Sequence, residues 1–127
     1  MRVTEEGESP PFSITDATPK RAEGNLLLLR LVGDLDTEGS RSLEKYLGEK
    51  LRLDITFVVL NLDQVTYIGN VSLGSLLTLE DVLRVREGGL LLVKLKKEHR
   101  RLFDLAGLFV RIRVYKTEEE ALAKAKS

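Results

Sequence analysis

Asn70 and Ser72 stand two positions apart between an apolar run, Phe57-Val58-Val59-Leu60, and residues recurring at helical spacing, Leu73, Leu76, Leu77, Leu79, Val82 and Leu83. The run suits a strand covered on both faces and the recurrence suits a helix, so the two polar side chains fall at a strand, loop and helix junction. An amide or hydroxyl at a helix start caps the first-turn N–H groups, and those same groups favour negative charge. The chemistry expected around Gly69, Asn70, Val71 and Ser72 is therefore capping, anion binding or a charge switch, with Asn70 or Ser72 as the cap. Asp36 is a second candidate. No titratable partner is evidently paired with it, which favours a cap or a partner contact over acid–base work. His99 lies among Lys96, Lys97, Glu98, Arg100 and Arg101, where an exposed charged helix face is expected rather than a metal or catalytic role.

Composition narrows the rest. The 127 residues fit one domain, with a short acidic tail expected over residues 1–11 and the folded domain over 12–127. Lys plus Arg number 20 and Asp plus Glu number 20, so the overall charge selects neither nucleic acid nor an anionic membrane, and no nucleic-acid site is assigned. Absence of cysteine removes disulfides, thiolate catalysis and Cys-based zinc sites. No acid–base pair, nucleophile or ligand cluster emerges, so neither an enzyme, a cofactor nor a metal is expected. With no apolar segment long enough for a span and no signal sequence, the expectation is a soluble cytoplasmic protein.

The elements that must position these residues alternate. A short strand over 12–15, a polar turn through Pro19 and Asn25, and an apolar strand over 26–32 make an opening hairpin. Gly33-Asp34-Leu35-Asp36 breaks the run and leads into a helix that points Leu43, Tyr46, Leu47 and Leu51 inward. The strand at Phe57 follows, then a turn from Tyr67 and the helix from Leu73, closed by a left-handed stop at Gly88-Gly89. Residues 90–93 form another strand. A third helix starts near Glu98, places Leu102, Leu105 and Ala106 on one face, and stops at Gly107 with Leu108 folding back. Residues 111–115 alternate as an edge strand. Thr117-Glu118-Glu119-Glu120 reads as a capping box opening a last helix packed through Leu122. The fold class is α/β, with a mixed sheet of four to five strands and about four helices.

Three ordered signatures carry a resemblance. Gly33-Asp34-Leu35-Asp36 is similar to the Gly-Glu-Leu/Ile-Asp that ends a strand in STAS domains of bacterial anti-sigma factor antagonists. Val58-Val59-Leu60-Asn61-Leu62-Asp63-Gln64-Val65-Thr66-Tyr67-Ile68 resembles that family's approach to its switch. Arg101-Leu102-Phe103-Asp104-Leu105-Ala106-Gly107-Leu108 is close to the ending of its third helix. The family's switch reads Asp-Ser-Ser/Thr-Gly-Leu-Gly, and its first Ser is phosphorylated by a cognate anti-sigma factor kinase. The matching positions here are Gly69, Asn70, Val71, Ser72, Leu73 and Gly74, of which Leu73 and Gly74 agree.

An amide cannot accept a phosphoryl group by that chemistry, so Asn70 is a degenerate phosphosite, with Ser72 as a less favoured substitute acceptor. The resemblance implies a non-enzymatic regulator that binds an anti-sigma factor or kinase-like protein through Asp36, Gly69, Asn70, Val71, Ser72, Leu73 and Gly74. A small-molecule sensor or scaffold subunit, able to homodimerise through the second helix, is the alternative. That helix is apolar around more of its circumference than one sheet-facing stripe needs.

Overall fold

The computed structural model describes residues 10–22, 25–51 and 54–125. Most of the expected tail, Glu23 and Gly24 of the first turn, and Lys126 lie outside them. Five strands, β1 (Ser13–Asp16), β2 (Leu26–Leu35), β3 (Phe57–Ile68), β4 (Gly89–Val93) and β5 (Arg113–Tyr115), form one sheet in sequential order. β1 runs antiparallel to β2, and β2 to β5 are mutually parallel. The helices are α1 (Thr37–Lys50), α2 (Asn70–Val85), α3 (Lys97–Leu105) and α4 (Glu118–Ala125), with a 3₁₀ turn over Leu108–Val110.

Strand alternation divides the apolar residues between two layers. Leu27, Leu29, Leu31, Val58, Leu60, Leu62, Leu90 and Leu92 face the larger core, where α1 contributes Leu43 and Leu47, α2 contributes Leu73, Leu76, Leu79 and Leu83, and α3 contributes Phe103. Leu26, Leu28, Val59, Leu91 and Val93 face the opposite side, covered by Ala121 and Ala125 of α4. The uninterrupted apolar runs of β2, β3 and β4 thus have the cause inferred for them: helices lie on both faces.

Several boundaries differ from expectation, each for a physical reason. β2 does not stop at Val32. Gly33 takes φ +96°, a Cβ there would stand 2.7 Å from the Pro10 carbonyl oxygen, and two register shifts against β3 carry the strand past it to Leu35. β3 likewise absorbs Tyr67 and Ile68, which pair with Asp34 and Leu35. Tyr46 of α1 and Leu51, just past its end, pack only partly buried at the core margin.

α2 ends one residue earlier than the glycine pair suggests. Glu87 adopts the left-handed conformation, φ 65°, and donates to the Arg84 carbonyl at 2.9 Å, while Gly88 N–H reaches the Leu83 carbonyl at 2.9 Å. These two bonds are the Schellman pattern. Gly88 is required for space instead: a Cβ would lie 1.7 Å from the Thr56 carbonyl oxygen.

α3 buries His99 and Phe103, whereas Leu105 is 75% exposed and Ala106 faces solvent, so its inward face is rotated from the one expected. Gly107 is the left-handed stop, φ 71°, and Leu108 folds back into the core. The capping box forms: Thr117 Oγ1 accepts from Glu120 N–H at 3.1 Å and Glu120 Oε1 from Thr117 N–H at 3.2 Å. α4 packs through Ala121 and Ala125, with Leu122 only half-buried. Glu118 anchors its start, accepting from Arg30 Nε and Nη2 at 2.9 Å each and from the Asn61 amide at 2.7 Å.

The candidate docking edge at the start of the second helix

The parallel strands β2 and β3 end side by side, and their exits set the edge. Gly69 N–H donates to the Leu35 carbonyl at 3.0 Å, tying the β3–α2 junction to the end of β2. Asp36 is the N-cap of α1: its Oδ1 accepts from Gly39 N–H at 2.8 Å. Nearby, Thr66 Oγ1 donates to Asp34 Oδ1 at 2.7 Å, fastening the β2 and β3 tips.

The cap of α2 corrects the sequence reading. Gly69 occupies the N-cap position with φ −95° and ψ 167°, and no side chain caps the helix. Asn70 is the first helical residue and is exposed, so its amide points outward instead of back onto the helix. No acidic residue lies in the first turn. Peptide dipoles therefore present an unneutralised positive end beside Asn70 and Val71.

Ser72 is neither cap nor surface. It is 1% exposed, its hydroxyl donates to the Leu35 carbonyl, and its oxygen lies 2.7 Å from Ser40 Oγ. Because the single Ser72 proton is committed to Leu35, Ser40 is the donor in that pair. The two buried serines bolt α1 to α2. A phosphoryl group on Ser72 would need both bonds broken and the helix pair opened.

Of the seven residues expected to meet a partner, the structure thus exposes Asn70, Val71 (56% exposed) and Gly74, keeps Asp36 partly exposed in its capping bond, and buries Gly69, Ser72 and Leu73. It also exposes a neighbour that the sequence reading placed in a turn. Tyr67 is 52% exposed, and its ring lies so close to Gly69 that a Cβ there would be 3.2 Å from it. The β3 pairing carries the signal: Tyr67 lies opposite Asp34, and Ile68 beside it turns inward. Tyr67 and Val71 make an apolar pair flanking Asn70 and the open helix start.

His99 and Glu80 are among the polar residues that the structure buries and the sequence reading did not. His99 is 8% exposed, with Nδ1 lacking a hydrogen-bond partner, and does not lie on an exposed face. Burial pushes its imidazole below the ordinary value; Glu98 and the Thr66 carbonyl oppose that shift, and Lys96 adds to it. Glu80, 1% exposed, accepts from Leu90 N–H at 2.9 Å and from Arg84 at 2.5 Å, holding α2 against β4. Among the described residues no cluster of His, Asp or Glu could hold a metal ion, and no helix is long and apolar enough to cross a membrane.

A sequential mixed sheet with three helices on one face, one on the other, and an uncapped helix start beside a capped one defines a small α/β domain whose distinctive surface is the exit edge of β2 and β3. The chain belongs to the STAS domain family, whose model matches residues 17–121. Among solved structures it is similar to the anti-sigma factor antagonist SpoIIAA in its unphosphorylated form, at 20% identity and TM-score 0.74, covering 91% of this chain and 96% of that one. It is similar too to an anti-sigma factor antagonist from Mycobacterium paratuberculosis, at 24% identity and TM-score 0.76, covering 94% and 99%. The phosphorylated form of the Bacillus cell fate determinant SpoIIAA matches at 20% identity and TM-score 0.66, covering 89% and 97%. At these identities the likeness is one of fold, the five-stranded mixed sheet with four helices.

Proposed function

We propose that this chain is a non-enzymatic regulatory STAS protein that docks an anti-sigma factor, or a similar kinase-like protein, through Tyr67, Asn70, Val71, Gly74 and the neighbouring Asp36. The observation that carries this is the exposed, uncapped first turn of α2, with an apolar residue on each side of Asn70 and no hydroxyl facing solvent at that position. SpoIIAA, which shares the fold, exists in phosphorylated and unphosphorylated forms. At the position matched by resemblance to the family's phosphorylated serine this chain carries an amide, Asn70, and Ser72 is buried between α1 and α2. The docking edge therefore stays in one charge state, and the chain is either constitutively competent or regulated by other means.

Asn70→Asp separates docking from folding. A carboxylate in the first turn of α2 stabilises the helix by roughly 0.3–1 kcal/mol, yet puts a charge where the partner must remove water. The expected result is unchanged or raised thermal stability with binding to the cognate anti-sigma factor weakened about tenfold or more. Wild-type protein should take up no phosphate from ATP and that kinase, whereas Gly69→Asp with Asn70→Ser should become an acceptor. Binding indifferent to both Asn70→Asp and Val71→Glu would refute the docking edge.

One observation favours the alternative of a small-molecule sensor or scaffold subunit. A groove of about 360 Å³ runs between α1 and α2, lined by Leu43, Leu47, Leu51, Leu76, Leu79 and Val82. It lies between helices, not at the strand ends. Mass spectrometry of the native protein finding a ligand that a Gly48→Leu variant loses would support that reading.

A further inference from the structure

A second surface has no part in that docking edge. Leu105, the last residue of α3, is 75% exposed, and Val110 (89%) and Phe109 (36%) follow it in the turn that leads to β5. Packing does not require their exposure, because Phe103, Leu108 and Ile112 already fill the core there and Phe109 needs only one ring face to stack on Phe103, at 6.0 Å between centroids. Arg111 pairs with Asp81, which brings this turn against the C-terminal half of α2. One helical turn beyond Asp81, Val85 is 85% exposed between Arg84 and Arg86.

Cations outnumber acids in the chain around these apolar side chains. Residues 100–113 carry four Arg and one Asp, with Asp81 paired to Arg111, although the whole chain balances at 20 Lys or Arg against 20 Asp or Glu. Net charge is a poor guide here. At about 0.1 M salt the Debye length is about 10 Å, so a surface meets the charges nearest to it and not those across the domain.

We infer that the α3–β5 turn is a peripheral membrane contact: Leu105, Phe109 and Val110 enter the headgroup layer of an anionic phospholipid bilayer while Arg101 and Arg113 meet lipid phosphates. Guanidinium donors suit phosphate oxygens, and isolated apolar side chains on a protruding turn suit a fluid interface better than the flat area a protein partner needs. The membrane is engaged from its surface, by a turn, without a span. The chain then has two working edges, since the docking residues lie at the opposite end of α2.

Co-sedimentation of the full chain with phosphatidylcholine vesicles, with and without phosphatidylglycerol, tests this. Binding is expected only with phosphatidylglycerol, falling as salt rises. Leu105→Ser with Val110→Ser should cut partition about tenfold or more, because each methylene entering the apolar layer is worth about fourfold. Arg101→Glu with Arg113→Glu should abolish binding, and Asn70→Asp should leave it unchanged, which keeps this test independent of the docking proposal. Circular dichroism checks that each variant is folded. Equal binding to neutral vesicles, binding indifferent to Leu105 and Val110, or folded protein that ignores phosphatidylglycerol and is captured by polyglutamate instead would each overturn the inference.

Discussion

Removing the Ser72 hydroxyl tests whether that position is structural. Ser72→Ala deletes two buried hydrogen bonds, the one donated to the Leu35 carbonyl and the 2.7 Å bond received from Ser40. The Leu35 carbonyl keeps the Gly69 N–H at 3.0 Å, so it is not orphaned. The Ser40 hydroxyl, 2% exposed, loses its acceptor. Net hydrogen bonds contribute about 1 kcal/mol each, and a buried donor left unsatisfied costs about 1–3 kcal/mol, so Ser72→Ala should destabilise the fold by about 2 kcal/mol. Ser40→Ala leaves Ser72 its donated bond and should cost about 1 kcal/mol. The double variant removes the orphan along with its partner, so its cost should fall about 1 kcal/mol short of the sum. Urea denaturation of the four proteins measures all three quantities. Additive losses, or a Ser72→Ala protein as stable as the parent, would refute the paired-serine bolt. Phosphate found on Ser72 of the folded protein would do the same for its assigned role.

Three further outcomes follow from the contacts. Arg30 holds the Glu118 carboxyl down to about 2 from its usual 4.5, with Asn61 and Lys94 helping against the cost of burial. Since the folded value is depressed, the stability this group contributes is complete above pH 4.5 and is lost as pH falls towards about 2; urea denaturation should find Glu118→Gln less stable than the parent at neutral pH and the two converging in acid. His99, the sole histidine, should titrate by NMR below its ordinary 6.5, and because its folded value is lowered, stability should fall as pH drops through 6.5; a midpoint at or above 6.5 would contradict its burial. Two glycines should respond with opposite signs: Gly88→Ala drives a Cβ to within 1.7 Å of the Thr56 carbonyl oxygen and should cost several kcal/mol, about 3 or more, whereas Gly48→Ala meets nothing within 4 Å and should gain up to about 1 kcal/mol in thermal or urea denaturation.

The element order was legible because local signals agree with one another. Leucine spacing marked α1 and α2, the apolar runs marked β2, β3 and β4, Gly107 marked the α3 stop, and Thr117 with Glu120 marked the start of α4. Each reports a period or a capping bond closed within a few residues, which needs no knowledge of what lies opposite. Asp36 as a cap was readable on the same ground.

What only the tertiary structure decided was where each signal ends and which way a polar side chain faces. β2 and β3 overrun their apparent stops because each supplies the other with a ladder partner, and a bulge at Gly33 absorbs the mismatch. Asn70 lost the cap to Gly69, and Ser72 was drawn inward by Leu35 and Ser40, residues over 30 positions away in sequence. His99 sits among charged neighbours in the chain yet reaches back to the Thr66 carbonyl, and Tyr67 is a surface residue only because Ile68 beside it turns into the core. A sequence records what a side chain can bond. The packed chain decides which of those bonds water is excluded from, and that sets whether an oxygen at a helix start is a switch, a cap or a bolt.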